Sequence, residues 1–391
     1  MLSSAESERH RQHLVTALQL IGAIHTPAVA QAFLTTPREH FVEQFYERAG
    51  REWKLRQREE AADHWLDLLY RNEALTTALN EHQLPVSSSS QPSIMAQMLE
   101  ALEIQPGQRV LEIGTGTGYN AALLAALVED PARVTTIEVR ATLAERAASM
   151  LHEHVGPISV HVGDGRVGVP TPLRYDRLLA TASSPLIPRA WFAQLAPGGR
   201  LVMPLEGSLQ ISGFLVIEKA KESGSGWFHP TPLSFMALQS ETEILRPYAS
   251  LPPAFPQQSV TATVQIAAHD PVLAALQERS FRWYLQWAWP AEGNVCLNPM
   301  QSPEGKQALR IYDARASQSL LQLHQHTDGS WSGILRGACP LWQEIDHLFQ
   351  DYQALGCPGK EAFQVDLDPQ HAPLLVAGHD QERVLRDLYS I

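Results

Sequence analysis

A glycine-rich turn is the feature of the sequence with the clearest chemical potential. A predicted apolar strand, Val110–Ile113, leads into Gly114-Thr115-Gly116-Thr117-Gly118, and a helix rich in Ala and Leu is predicted directly after it. A ligand that lies against the backbone at a strand end needs residues without a Cβ atom, and a helix N-terminus adds unpaired N–H donors. The dinucleotide pattern G-x-G-x-x-G is not matched, because the third glycine comes one residue early. The turn predicts a ligand site.

Acidic residues after the next two strands indicate the kind of ligand. The spacing E-x-G-x-G-x-G resembles the first motif of methyltransferases that use S-adenosylmethionine. Glu138 ends VTTIEV, where a carboxylate can accept both ribose hydroxyls. Asp164, in HVGDGRVG, is placed to accept from the adenine amino group, while Gly165 lets the ring approach. For either acid taken alone, a role as a helix cap is as good an explanation as a ligand contact. Together with the glycine turn, they predict S-adenosylmethionine binding.

A family resemblance extends over a much longer stretch. The segments SQPSIMAQMLEAL, VLEIGTGTGYNAALLA, VTTIEV, HVGDGRVG, YDRLLATAS and IPRAWFAQLAPGGRLVMPL resemble the protein-L-isoaspartate O-methyltransferases, and TPREHFVEQF is similar to their N-terminal signature. The match covers about residues 25–240, and GDG, QLAPGG and SQP are peculiar to this family. The resemblance implies a Rossmann-like S-adenosylmethionine-dependent α/β fold. It also implies methylation of a protein or peptide carboxylate, with S-adenosylhomocysteine as product.

A run of serines precedes the motif-bearing helix. In the family, a serine just before Gln-Pro lies beside the cofactor and the substrate carboxylate, and the matching residue here is Ser90. The resemblance thus implies that Ser90 is the substrate-side donor, with Ser88 and Ser89 as helpers. On composition alone, such a run is also typical of a flexible linker. Thr181, after the fourth strand, either faces the substrate or caps the chain locally.

Departures from the family leave the substrate open. The chain lacks the Thr-Ile-Ser before Gln-Pro and the upstream glycine turn of many members, and it has an added C-terminal part. One hypothesis is a repair enzyme acting on L-isoaspartyl or D-aspartyl residues. A second is a peptide-specific aspartate methyltransferase of a ribosomal peptide pathway, forming succinimide and isoaspartate. A third is a non-catalytic protein that binds cofactor or partner.

The pattern along the chain predicts the elements that position these residues. Residues 8–49 and 50–69 read as helices, 84–92 as a breaker-rich stretch, and the region after 108 as alternating strands and helices, which predicts a parallel sheet of about seven strands. Two of these strands are predicted as a hairpin joined across SGSG. The predicted domains are 1–240, with a helical part at 1–105, a linker at 241–258, and an accessory α+β domain at 259–391. Truncation after Gln239 is then expected to preserve cofactor binding but to weaken substrate binding.

Composition narrows the function classes. The chain has 391 residues and a net charge of -12 without a basic block, which argues against nucleic acid as the main partner. No run approaches the ~20 apolar residues of a membrane span, and the N-terminus lacks the features of a secretory signal, so we expect a cytoplasmic protein.

The three cysteines form no metal or redox motif. His152 and His154 point to different sides of a helix, so no metal site is predicted. Oligomeric state is left open.

Overall fold

The N-terminal part of the chain packs helices and a small sheet beside the main one. In the computed structural model, its helices are α1 (Ser4–Leu20), α2 (Pro27–Thr35), α3 (Trp65–Leu69) and α4 (Pro92–Leu102). Its strands are β1 (Gln44–Ala49), β2 (Glu52–Gln57), β3 (Leu75–Leu79) and β4 (Pro85–Ser89), in the antiparallel order β2-β1-β3-β4. The structure describes residues 4–50, 52–59, 64–239, 259–289, 295–301, 307–313, 319–367, 374–377 and 383–387.

Alternating strands and helices build the central sheet. Its parallel strands are β5 (Val110–Ile113), β6 (Val134–Glu138), β7 (Ser159–Val162), β8 (Tyr175–Ala180) and β9 (Leu195–Glu206). The helices between them are α5 (Tyr119–Val128), α6 (Ala141–His154) and α7 (Arg189–Gln194). Two antiparallel strands follow, β10 (Ser212–Lys219) and β11 (Gly224–His229).

The C-terminal part both adds a sheet and lengthens the central one. An antiparallel sheet contains β12 (Val260–Ile266), β13 (Val295–Gln301), β14 (Gln307–Asp313), β15 (Leu320–Gln325) and β16 (Trp331–Arg336). The helices here are α8 (Pro271–Ala275), α9 (Arg279–Ala288) and α10 (Leu341–Ala354). Strands β17 (Phe363–Leu367), β18 (Leu374–Ala377) and β19 (Arg383–Asp387) continue the central sheet beyond β11, giving the order β19-β18-β17-β11-β10-β9-β8-β5-β6-β7. Strand and helix thus alternate only in the central part.

Two hydrophobic cores cover the faces of the central sheet. Successive side chains of a strand point to opposite faces, so Val110 joins the core formed with α2, α4 and α5, while Leu111 joins the opposite core. That second core also contains Phe281 and Trp283 of α9 and Leu321 of β15. The C-terminal part therefore shares its core with the central sheet. Within the described residues, no helix has both the length and the apolar character needed to cross a membrane.

Several sequence predictions of local structure were wrong. The predicted helix at 50–69 contains strand β2 and only a short helix, α3. Charged residues alternate with Trp53 and Leu55 there, and β2 pairs with β1, so strand pairing outweighs helix propensity. The breaker-rich stretch 84–92 contains strand β4. The hairpin turn falls at 220–223, and most of SGSG lies in β11. The seven predicted strands of the central sheet are present as β5 to β11, and β17 to β19 of the C-terminal part extend that sheet to ten strands. The predicted linker at 241–258 lies outside the described residues.

Candidate active site

A cavity of about 650 Å³ lies at the carboxyl ends of β5, β6 and β8. Ligand sites of open α/β sheets lie at this edge, and the volume falls in the usual range for small-molecule sites. Its wall combines four parts of the chain: the glycine turn, the serine strand β4, the segment after β11, and the start of α9. The lining residues include Ser87, Ser88, Ser89, Ser90, Gly114, Thr115, Gly116, Asn120, Glu138, Arg140, Gly165, Thr181, Met236, Leu238, Gln239 and Arg279.

The glycine turn has the backbone conformation that its sequence predicts. Gly114 has φ of 99°, and a Cβ atom there would lie 2.8 Å from Thr181 Oγ1, so a side chain is excluded both by strain and by contact. Thr115 and Gly116 follow along the cavity wall. Gly118 is placed differently: its N–H donates to the Thr115 carbonyl at 2.9 Å, and it does not line the cavity. It closes the turn instead of facing a ligand.

Glu138 stands at the end of β6 with its carboxylate fixed by backbone donors. Oε2 accepts from the Gly116 N–H at 3.0 Å, and Oε1 accepts from the Arg140 N–H at 3.1 Å. The residue is only 8% exposed and lines the cavity. Each carboxylate oxygen can accept more than one hydrogen bond. Both oxygens therefore retain acceptor capacity toward a pair of ligand hydroxyls.

The turn at Asp164 and Gly165 forms another part of the wall. Both Asp164 carboxylate oxygens accept from Arg166 Nε, at 3.1 and 3.0 Å, and Asp164 Oδ1 also accepts from the Arg166 N–H at 2.9 Å. Asp164 itself does not line the cavity, whereas Gly165 does. A Cβ atom at Gly165 would lie 2.6 Å from Ile113 Cγ2, so the backbone passes close to β5. The predicted contact of Asp164 with an adenine amino group stays a prediction.

A buried carboxylate lies beneath the glycine turn. Glu112 is fully buried and accepts from Asn120 Nδ2 and from Thr136 Oγ1, each at 2.7 Å. Thr136 in turn shares a hydrogen bond of 2.7 Å with Thr115 of the turn. Burial raises the pKa of Glu112 to about 7, although the hydrogen bonds from Thr136 and Asn120 lower it. This network connects the turn to the strands below it.

The serines alternate between two environments along β4. Ser87 and Ser89 are 3% and 2% exposed, whereas Ser88 and Ser90 are half-buried. All four line the cavity. Within the described part of the chain, the Ser90 hydroxyl has no hydrogen-bond partner, so it is available to a ligand. Ser87 and Ser89 are thus the more deeply buried serines of this segment, and Ser88 and Ser90 are the more accessible ones.

Arg38 holds the end of the serine strand in place. The residue is fully buried, and its Nη2 donates to the carbonyl oxygens of Ser89 and Ser90 at 3.1 and 3.0 Å. Its Nε donates to Ser89 Oγ at 3.1 Å, and its Nη1 donates to the Leu69 carbonyl at 2.7 Å. Burial lowers the pKa of Arg38 to about 10, so the guanidinium stays protonated near neutral pH. The segment TPREHFV contains Arg38, but the sequence alone does not reveal this role.

The segment 232–239, which follows β11, also lines the cavity. The Ser183 N–H donates to the Met236 carbonyl at 2.9 Å, and the Ser183 carbonyl accepts from the Leu238 N–H at 2.8 Å. Arg140 Nη2 donates to Gln239 Oε1 at 3.1 Å. No sequence pattern pointed to this segment.

Thr181 donates to the Gly114 carbonyl at 2.7 Å while lining the cavity, so it has the capping geometry.

The cavity is lined by the glycine turn, Glu138 and Gly165, as expected for an S-adenosylmethionine site, whereas Gly118 and Asp164 lie outside its wall. Backbone without side chains borders it at the glycine turn and at Gly165, and an oriented carboxylate, Glu138, stands at the end of β6. The buried Oδ1 of Asn120 has no partner among the described residues, so it is a further acceptor in the wall. Fold and site define an S-adenosylmethionine-dependent methyltransferase with a Rossmann-like sheet.

Comparison with known proteins gives the family. The model of the protein-L-isoaspartate(D-aspartate) O-methyltransferase family matches residues 8–238, and the chain belongs to this family. A protein-L-isoaspartate O-methyltransferase of Anaeromyxobacter dehalogenans is 39% identical over 166 residues, covering 41% of this chain and 78% of the relative. Another, of Ignicoccus hospitalis, is 32% identical over 240 residues, covering 60% of this chain and 99% of the relative. The predicted family, fold, activity and cofactor are thereby confirmed.

A solved structure extends the fold comparison to the C-terminal part. A protein-L-isoaspartate O-methyltransferase structure aligns with a TM-score of 0.53 and 21% identity, covering 94% of this chain and 99% of that one. At this identity the likeness concerns the fold alone. The C-terminal part therefore has a counterpart in a solved structure, although the family model ends at residue 238.

Proposed function

We propose that the protein transfers a methyl group from S-adenosylmethionine to the free carboxylate of L-isoaspartyl or D-aspartyl residues in polypeptides, in the cavity described above. The observation that carries the proposal is the convergence of Glu138, the glycine turn and Ser90 on one cavity. Its curated relatives are named protein-L-isoaspartate O-methyltransferases. The proposed substrate follows from the family, and the proposed residues follow from the geometry.

The cofactor is assigned to the side of the cavity formed by β5 and β6. Glu138 accepts from the ribose hydroxyls, because its two oxygens are already held in one orientation by the N–H groups of Gly116 and Arg140. Such charge-assisted hydrogen bonds are stronger than neutral ones. Gly114, Thr115 and Gly116 border the cofactor's amino acid part, and Gly165 borders the adenine, with Asp164 shaping that turn.

The reaction requires alignment of the reacting groups and no general base. S-adenosylmethionine supplies an electrophilic methyl group on a sulfonium sulfur. A substrate carboxylate has a pKa of ~4 and is therefore ionised near neutral pH without help. The protein must hold this carboxylate in line with the methyl group, and such positioning contributes up to about 7 to 11 kcal/mol. Ser90 is proposed to donate a hydrogen bond to the carboxylate oxygen that does not attack.

The other serines have supporting roles in this proposal. Ser88 is half-buried on the cavity wall, which makes it a second donor candidate. Ser89 is 2% exposed and its Oγ accepts from Arg38, so we assign it to holding the strand. The proposed catalytic set is therefore Ser90 with Ser88, positioned by Ser89 and Arg38.

A repair role in the cytoplasm completes the proposal. Cys296, Cys339 and Cys357 form no disulfide with one another, which suits a reducing compartment. Isoaspartyl residues arise in many aged proteins, so a repair enzyme needs a cavity that recognises the altered linkage and not one sequence. The test is methylation of several unrelated isoaspartyl peptides with labelled S-adenosylmethionine. Methylation of all of them supports repair, whereas restriction to one sequence contradicts it.

A further inference from the structure

Helix α9, from the C-terminal part, is firmly attached to the central sheet. Trp283 packs edge-on against Phe228 of β11, with ring centroids 5.0 Å apart. Gln286 Nε2 donates to the Ile211 carbonyl at 2.7 Å, and Arg282 Nη2 donates to the Leu209 carbonyl at 3.2 Å. These contacts fix the helix relative to β10 and β11. They also determine where its first residue, Arg279, lies.

Arg279 is a cation of the active-site cavity. It lines the cavity together with the serines of β4 and the segment 232–239. The residue is exposed, and it forms neither an ion pair nor a hydrogen bond with any other described residue. Arg140, the other arginine of the wall, donates to Gln239. Arg279 is thus the arginine of this wall whose donors are all free, within the part of the chain that the structure describes.

Two other cations, Arg282 and Lys360, lie close enough to Arg279 to interact with its charge. Arg279 lowers the pKa of Arg282 and of Lys360 by repulsion, in addition to the larger lowering that burial causes. Lys360 Nζ donates to the His229 and Thr231 carbonyls, and Arg282 Nε is buried without a partner among the described residues. Acids are also present: Glu206 is buried and hydrogen-bonded to Ser212, Glu361 lies 3.9 Å from Lys360, and Glu278 precedes Arg279 in the sequence. A cationic cluster in a chain of net charge -12 provides local attraction for an anion.

We propose that Arg279 binds the acceptor carboxylate of the polypeptide substrate, so that the C-terminal part completes the active site. This inference rests on the proposed function. An arginine presents paired donors that match the geometry of a carboxylate. Methyl transfer converts the carboxylate into a neutral ester, because one oxygen forms the new bond to carbon and the sulfonium becomes a thioether. The attraction to Arg279 is thereby lost, which favours release of the methylated product. Arg279 is therefore a specificity-determining residue.

The test compares two peptides on protein saturated with S-adenosylhomocysteine. One peptide contains L-isoaspartate, and the other has a carboxamide in place of its free carboxylate. Calorimetry measures both affinities for wild type, Arg279→Ala, Arg279→Lys and the control Arg9→Ala, which removes an exposed arginine of α1. We expect Arg279→Ala to reduce the preference for the carboxylate by about 10- to 100-fold, the factor that follows from losing a charge-assisted hydrogen bond. Arg279→Lys should restore part of it, and Arg9→Ala should leave it unchanged.

Two results would overturn the inference. An unchanged carboxylate preference in Arg279→Ala means that the residue does not contact the acceptor. A loss of S-adenosylhomocysteine affinity without a change in peptide preference means that Arg279 binds the cofactor's carboxylate instead. Failure of the proposed function has a different signature, since wild-type protein would then neither bind nor methylate the isoaspartyl peptide. If wild type methylates the isoaspartyl peptide and the Arg279 variants show the same carboxylate preference as wild type, the proposed function stands and this inference fails.

Discussion

Arg38 Nη2 donates to the carbonyl oxygen of Ser90 at 3.0 Å, so a buried cation sets the backbone next to the proposed substrate donor. Replacing Arg38 by Lys keeps the charge but removes the planar set of donors. We expect turnover to fall about 10- to 100-fold with little change in cofactor affinity, because the serine strand loses its alignment. Steady-state kinetics and calorimetry with S-adenosylhomocysteine measure the two effects. Cofactor affinity falling as steeply as turnover would show general disruption of the fold instead.

Glu138→Ala should weaken cofactor binding. The change removes the proposed hydrogen bonds to the ribose, each worth about 1.5 to 3 kcal/mol as charge-assisted bonds. Calorimetry with S-adenosylhomocysteine measures the loss, which should reach at least about tenfold. Glu145→Ala is the matched control, because Glu145 is exposed on α6 and away from the cavity. Equal cofactor affinities of the Glu138 and Glu145 variants would refute the assignment.

Ser90→Ala should lower turnover while cofactor affinity stays close to that of wild type. The hydroxyl has no partner among the described residues, so its loss leaves no protein group unsatisfied, and stability should change little. Ser87→Ala is a useful contrast, because buried Ser87 accepts from Thr77 Oγ1 at 3.0 Å and should affect stability more than turnover. Wild-type turnover of Ser90→Ala would remove the residue from the proposed mechanism.

Glu112 should make the stability of the cofactor-free protein depend on pH. Its pKa rises from 4.5 to about 7 on folding, mainly through burial. The folded state therefore binds the proton more tightly, and the free energy of unfolding should decrease by about 3 kcal/mol as pH rises from about 4.5 through about 7. Glu112→Gln should lack this decrease, since an amide does not ionise and Thr136 can accept from it. Urea unfolding near pH 5 and pH 8 checks this, and parallel decreases in both proteins would contradict it.

Truncation after Gln239 should not yield an independent methyltransferase. The sequence suggested separable domains, and on that basis cofactor binding was expected to survive truncation. The structure gives a reason to expect the opposite: β17 pairs with β11, and Trp283 covers Phe228. Removing them exposes apolar surface of one shared core. Circular dichroism and cofactor binding test this, and a folded truncated protein that binds cofactor would support separable domains.

The cofactor side of the site could be predicted because its chemistry is local in sequence. Gly114 and Gly116 need positive φ, and Glu138 must end a strand, so both requirements leave a short pattern in the chain. The alternation of strands and helices is also a local pattern, and it predicted the parallel part of the sheet. The serine segment was found by family resemblance, not by its pattern.

The remainder of the site depends on long-range packing, which short patterns do not encode. Arg38 contacts Ser90, and Arg279 lines the same cavity as the glycine turn, only when distant elements fold together. The helix predicted at 50–69 was wrong because β1 offered a pairing partner that local propensity cannot show. The β17–β19 extension of the central sheet was missed because each strand is short and pairs with a strand that its own sequence does not specify.

The most direct measurement incubates the protein with labelled S-adenosylmethionine and either an L-isoaspartyl peptide or its normal L-aspartyl counterpart. We expect base-labile label, as is typical of a methyl ester, on the isoaspartyl peptide alone, at a rate that Ser90→Ala and Arg279→Ala both reduce. Label on the aspartyl peptide in preference to the isoaspartyl one would contradict the proposed substrate and favour a peptide-modifying enzyme.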